Sequence, residues 1–218
     1  MTTAIIGIGH IGGPLARHLV NGGERVVVAA RDEGQAAKFA QQLGNLATAA
    51  PVRKAISDAD VVVFAVVLDT IKELITTQID VLAGKVVVDP SNPIKPDGKG
   101  GFARTLPDGQ SSGALLARQL PTGGHFVKAF GTLTAESLAT GANRTPQRAV
   151  LFYATDDTQA AAAIERLITA AGFDPVKAGG VHDAGRIEVG GDLHQFGGLN
   201  GKLLNAAEAA RAVAALTT

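Results

Sequence analysis

The stretch that most constrains this chain is its beginning. There the apolar run Ala4-Ile5-Ile6 enters Gly7-Ile8-Gly9-His10-Ile11-Gly12 and then a helically periodic segment from Pro14 to Val20. Strand, glycine-rich turn and helix, in that order, open a βαβ unit that receives a dinucleotide pyrophosphate. Each glycine answers a separate steric demand. Gly7 permits the tight turn, Gly9 leaves the backbone open to the phosphates, and Gly12 lets the helix pack closely on the strand. The N–H groups and positive dipole end of the helix then face the anion.

Asn21-Gly22-Gly23 ends that helix, and Arg25 to Ala29 reads as the second strand of a right-handed crossover. Ala30-Arg31-Asp32 follows about twenty residues past the glycines, where such folds read the adenosine ribose. A carboxylate there accepts from the 2′-hydroxyl of NAD, whereas a guanidinium fork suits the 2′-phosphate of NADP. Arg31 holds the reading position, so the cofactor expected is NADP. The plainer alternative is a solvated loop charge paired with Asp32 or Glu33.

Further along, a helix over 33–43, a short strand near 46–48 and a helix near 52–56 precede the most continuous apolar run, Val61-Val62-Val63-Phe64-Ala65-Val66-Val67. A run apolar on both faces predicts a central parallel strand covered by helices on each side. Its carboxyl end should flank the ligand crevice. A helix over 70–78 and a strand over 85–89 come next, the latter broken by Pro90-Ser91-Asn92-Pro93, and the polar 95–110 segment reads as a loop or flap. A helix over 112–120 and a strand over 125–130 complete a doubly wound Rossmann α/β domain with a mostly parallel sheet, assigned to residues 1–133. Residues 134–218 are expected to form a small carboxyl-terminal α/β domain, with helices over 135–139, 157–171 and 202–216 and strands over 148–154 and 173–177.

The 218 residues carry 20 basic and 20 acidic side chains and no cysteine. Thiolate zinc sites, disulfide frameworks and cysteine nucleophiles are therefore excluded, and the balanced charge gives no footprint for nucleic acid or an anionic membrane. With no basic leader and no membrane-length apolar run, the expected setting is cytoplasmic. His182 and His194, near Asp183 and Asp192, are too irregularly spaced for a metal pair, and no metal is assigned. No paired carboxylates and no nucleophile elbow occur, so no side chain is given a catalytic role. Hydride exchange between two cofactor rings is consistent with that, because the rings carry the chemistry and the protein orients them.

Three segments together carry a family resemblance: GIGHIGGPLARHLVNGG with AARDEGQA, then HFVKAFGTLTAESLA, then RAVLFYATDDTQAAAAIERLITAAGFDPVKAGGVHDAGRIE. The chain resembles the bacterial branch of the NADPH-dependent deazaflavin (coenzyme F420) reductases. The resemblance implies hydride transfer between NADP(H) and coenzyme F420, or a flavin in its place, with the acceptor ring stacked on the nicotinamide. It implies that Gly7, Ile8, Gly9, His10 and Ile11, with Gly12, hold the pyrophosphate and that Ala30 and Arg31 meet the 2′-phosphate. Ala65, Val66, Val67 and Asn92 would flank the nicotinamide, Ala129 and Phe130 would approach the ring-stacking face, and the protein would be a homodimer. Alternatives are a reductase of small carbonyls or imines and a non-catalytic NADP sensor. The first rests on Gly198 to Asn205, which resembles the lysine-bearing motif of β-hydroxyacid dehydrogenases but reads more simply as a capped start to the last helix.

Overall fold

The computed structural model describes residues 1–99 and 101–215, which leaves Gly100 in the flap and Leu216, the expected end of the last helix, outside the described residues. The first half alternates β1 (Thr2–Ile6), α1 (Gly12–Asn21), β2 (Arg25–Ala29), α2 (Glu33–Leu43), β3 (Ala47–Ala49), α3 (Val52–Asp58), β4 (Val61–Phe64), α4 (Leu68–Thr77), α5 (Ile79–Leu82) and β5 (Val86–Asp89). A small hairpin of β6 (Ile94–Pro96) and β7 (Phe102–Arg104) follows, then α6 (Ser112–Ala117), β8 (His125–Ala129) and α7 (Ala135–Thr140). The chain ends with β9 (Val150–Ala154), α8 (Thr158–Ala170), β10 (Asp174–Gly179), a 3-10 helix (Val181–Ile187) and α9 (Ala206–Ala214).

Eight strands form one sheet in the order β10-β9-β8-β5-β4-β1-β2-β3, parallel except where β8 meets β9. The fold is thus the expected α/β, doubly wound, mostly parallel architecture, and β9 and β10 extend the same sheet rather than building a second one. Strand alternation explains the layers. Ile5, Val63 and Val88 join one apolar core with α1 and α8, while Ala4, Ile6, Val62, Phe64 and Val87 join another with α3, α4 and α6. On β9, Leu151 and Tyr153 face the first core, whereas Val150, Phe152 and Ala154 pack on Ile187 and Leu193 of the carboxyl-terminal segment.

The direction of winding reverses at β1. From there β2 and β3 lie to one side and β4 and β5 to the other, which makes the β1/β4 boundary the switch point where a crevice opens at the strand ends. Local chemistry trims the elements read from the sequence. The strand expected over 61–67 ends at Phe64, because the Val66 N–H turns back to the Phe64 carbonyl at 2.9 Å, and α4 begins at Leu68. The flap contains the β6/β7 hairpin, Ile94 pairing with Arg104. The last helix starts at Ala206 because Asn205 caps it, its side chain accepting from Glu208 N while the Glu208 carboxylate accepts from Asn205 N.

Candidate functional site

The glycine turn sits where the switch-point rule requires, at the end of β1 against the end of β4. Gly7 has φ +99°, and a Cβ there would lie 2.4 Å from the Ala65 carbonyl oxygen. A Cβ on Gly12 would lie 1.9 Å from the Gly7 carbonyl oxygen and 2.9 Å from the Ala65 Cβ. Above Gly9 the space is open, with nothing within 4 Å of a Cβ. The two outer glycines are therefore required by protein packing, and the middle one leaves a cradle that a phosphate can enter. Ile8, Gly9 and His10 border a cleft of about 590 Å³ with Arg17, Phe39 and Glu136, and His10 itself is exposed. Ile11 precedes α1 without a side-chain cap, so the first N–H groups of that helix depend on other acceptors.

At the end of β2, Ala30 is half-buried and Arg31 exposed. The neighbouring Asp32 is committed elsewhere: it is the N-cap of α2, its Oδ1 accepting from Gln35 N at 2.9 Å. Among the described residues Arg31 forms no ion pair with Asp32, Glu33 or any other carboxylate. Of the two groups that could read the ribose, the carboxylate has one oxygen engaged as the helix cap, and the guanidinium is without an ion-pair partner among the described residues.

Ala65 lies directly against the glycine turn, Val66 is half-buried and Val67 is 70% exposed at the rim. Asn92 is brought to the same edge, where both ends of its amide are engaged: Nδ2 donates to the Gly131 carbonyl at 3.0 Å and Oδ1 accepts from Val189 N at 2.7 Å. Ala129 and Phe130 are buried in the core, so at the site this segment offers backbone rather than side chains. Phe130 has φ +65° although it is not glycine, and a Cβ on the following Gly131 would meet the Pro90 carbonyl oxygen at 2.5 Å. The ends of β5 and β8 thus cross in contact, held by a backbone conformation that non-glycine residues rarely adopt.

Two features at this edge were missed in the sequence. His194, 2% exposed, donates from Nε2 to the Gly131 carbonyl at 3.0 Å and accepts at Nδ1 from Phe196 N at 2.9 Å, which fixes a neutral ring. Burial pushes its pKa down to about 4; the Gly131 bond opposes that shift and the positive charge of Lys128 adds to it. With the Gln195 N–H on the Thr132 carbonyl and the Gln195 side chain bridging Thr134 N, Ser137 Oγ and the Gly201 carbonyl, His194 ties the carboxyl-terminal segment across the end of β8.

The second is a sealed ionic cluster. Lys128 Nζ donates to Asp89 Oδ2 at 2.6 Å, to Ser112 Oγ at 2.7 Å and to the Ser91 carbonyl. The Ser112 hydroxyl donates to Glu188 Oε1 at 2.8 Å, and Gly113 N donates to the same oxygen at 3.1 Å. All three charged side chains are at most 1% exposed. A lysine amid apolar neighbours in HFVKAF and an aspartate ending VVVD were the available signals, but only the topology shows that they meet.

Residues 2–93 match the family model of the coenzyme F420-dependent NADP oxidoreductases. Over that span the chain is similar to this family. The rat metalloreductase STEAP3 is 31% identical over 184 residues, which is 84% of this chain. The chain spans about a third of that relative, 35% of its length. A hypothetical protein from Sinorhizobium meliloti, SMa0349, shares the fold at TM-score 0.81 with 29% identity, covering 94% of this chain and 95% of its own. An Arthrobacter protein designated an F420-dependent NADP reductase matches at TM-score 0.73 and 22% identity, over 84% of this chain and 87% of its own, and shows the fold alone. Among the described residues no helix is long and apolar enough to cross a membrane.

Proposed function

We propose that this chain binds NADP(H) along the strand ends and transfers a hydride between the nicotinamide and a deazaflavin- or flavin-like ring stacked on it. One observation carries the NADP reading: among the described residues Arg31 is unpaired at the end of β2, while Asp32 is engaged as the cap of α2. In this reading the N–H groups at the start of α1 and the open face of Gly9 hold the pyrophosphate, Ala65 to Val67 wall the nicotinamide, and Asn92 and His194 hold the strand ends in place. The bound cofactor supplies the hydride donor. The protein's part is orientation and exclusion of water.

The ring-type acceptor is favoured because neither lysine that could act as acid–base group is set up for it among the described residues. Lys128 has all three donors engaged and is sealed from solvent. Lys202 lies exposed in the irregular segment before α9, and Asn205, its partner in the dehydrogenase-like reading, is engaged as a helix cap. A carbonyl or imine reductase that needs a lysine facing its substrate is therefore the weaker reading. Residues 134–218 act in this proposal as the unit that closes over the nicotinamide, in a homodimer working in the reducing cytoplasm.

Binding of NADPH and NADH is measured by fluorescence titration, and NADPH oxidation is followed with riboflavin, FMN, a deazaflavin and a carbonyl panel. NADPH should bind at least about tenfold tighter than NADH, and Arg31→Ala should remove that margin, as the loss of one charge-assisted phosphate contact implies. Turnover should appear with the ring acceptors and not with carbonyls. Equal binding of the two cofactors unaffected by Arg31→Ala refutes the NADP assignment, and turnover confined to carbonyls refutes the acceptor.

A further inference from the structure

The flap, α6 and the glycine turn after the 3-10 helix enclose a second cavity, of about 960 Å³, which none of the NADP-binding residues named above lines. Arg104 from β7 and Arg118 from just beyond α6 line it, with one carboxylate, Asp108, and the exposed ring of His182. Arg104 is steadied by a hydrogen bond to the Gln110 carbonyl. Among the described residues neither guanidinium forms an ion pair, Asp108 included, whereas Arg53, Arg166 and Arg186 each hold a carboxylate. Two unpaired guanidiniums on one cavity wall form a site for an oxyanion, and their planar forks suit phosphate.

The cavity is joined to the hydride site by hydrogen bonds. Its wall includes Val189, Gly190 and Gly191. Val189 N donates to Asn92, which in turn donates to the Gly131 carbonyl at the end of β8. Gly190 N donates to the Phe196 carbonyl at 3.2 Å, so Phe196, 61% exposed, sits on the same turn. An aromatic side chain held out to solvent on a turn fixed by His194 and Gln195 offers a planar surface at the junction between the two regions.

We propose that this cavity receives the phosphate-bearing side chain of the acceptor, with Arg104 and Arg118 binding the phosphate. This rests on the flavin-like reading of the acceptor. FMN and riboflavin share one ring and differ by the phosphate, so they isolate the contact. Their affinities for the NADP⁺-saturated protein are read from quenching of their own fluorescence. FMN should bind about tenfold tighter than riboflavin, Arg104→Gln and Arg118→Gln should each bring the ratio toward one, and Asp108→Asn, which removes the opposing carboxylate, should raise it. The opposite signs keep the test decisive if one variant disturbs the flap. Equal affinities in the wild type, or a ratio indifferent to all three substitutions, overturn the inference. Failure of every flavin and of the deazaflavin to oxidise NADPH overturns the proposed function instead, since the affinity ratio is read without turnover.

Discussion

Gly9 and Gly12 are three residues apart in one turn, yet the structure assigns them different burdens, and replacing each by alanine separates packing from ligand binding. A Cβ on Gly12 would stand 1.9 Å from a backbone oxygen, where real side chains keep at least 3.0 Å, so the start of α1 has to move by more than an ångström. Overpacking of that kind costs about 1–3 kcal/mol. A shift of about 1 Å in the groups that hold the cofactor reduces productive binding on the order of a hundredfold. A Cβ on Gly9 meets nothing within 4 Å, and its φ lies outside the left-handed region, so Gly9→Ala should hold stability within about 0.5 kcal/mol. Its methyl group occupies the phosphate cradle, however, and NADPH affinity should fall at least about tenfold, equivalent to about 1.4 kcal/mol. Urea denaturation of the ligand-free variants, paired with NADPH titration, gives both quantities. Wild-type NADPH affinity in Gly9→Ala refutes the placement of the pyrophosphate, and equal loss of stability in the two variants refutes the packing argument.

Other consequences are as direct. Lys128→Met leaves Asp89 and Glu188 buried without their counter-charge and should cost about 3–5 kcal/mol in urea denaturation, whereas an unchanged midpoint means that the cluster is not sealed as described. For His194, folding lowers the pKa from 6.5 to about 4, so its contribution is present in full above 6.5 and is lost as pH falls toward 4. His194→Gln, which can still donate to the Gly131 carbonyl but does not titrate, should lose about 2 kcal/mol less than the wild type between about pH 7.5 and pH 5. Parallel pH curves for the two proteins exclude His194 as the source.

The amino-terminal half was legible because its determinants are local. Gly7 and Gly12 announce a turn whose steric reasons the structure then supplies, and Val61 to Phe64 and Val86 to Val88 read as two-sided strands because both faces are covered. The flap was read as a loop because Ile94 and Arg104 pair across a polar, glycine-rich stretch with too few apolar residues to show a strand period. Arg31 was found by its position after β2, but what makes it available is the capping role of Asp32, which its spacing to Gln35 shows only once the start of α2 is known.

The carboxyl-terminal part was harder to read for a physical reason that also bears on what it does. Residues 188–201 contain almost no regular structure, and the segment is ordered by contacts with distant residues: Glu188 with Ser112, Val189 with Asn92, His194 with Gly131, Gln195 with Thr132 and Thr134. Such partners leave no period in a sequence. Read alone, His194 resembled half of a weak metal pair, and Asn92 a residue that only flanks a ligand. Together they converge on one carbonyl, that of Gly131, from opposite sides of the chain. Gly131 admits no Cβ against Pro90, so packing constrains the peptide to which both attach. The tail is therefore positioned by the same strand ends that would hold the nicotinamide. The two halves of the proposed site thus differ in kind: the dinucleotide side rests on glycines close in sequence, and the acceptor side on a segment shaped by contacts with distant strands.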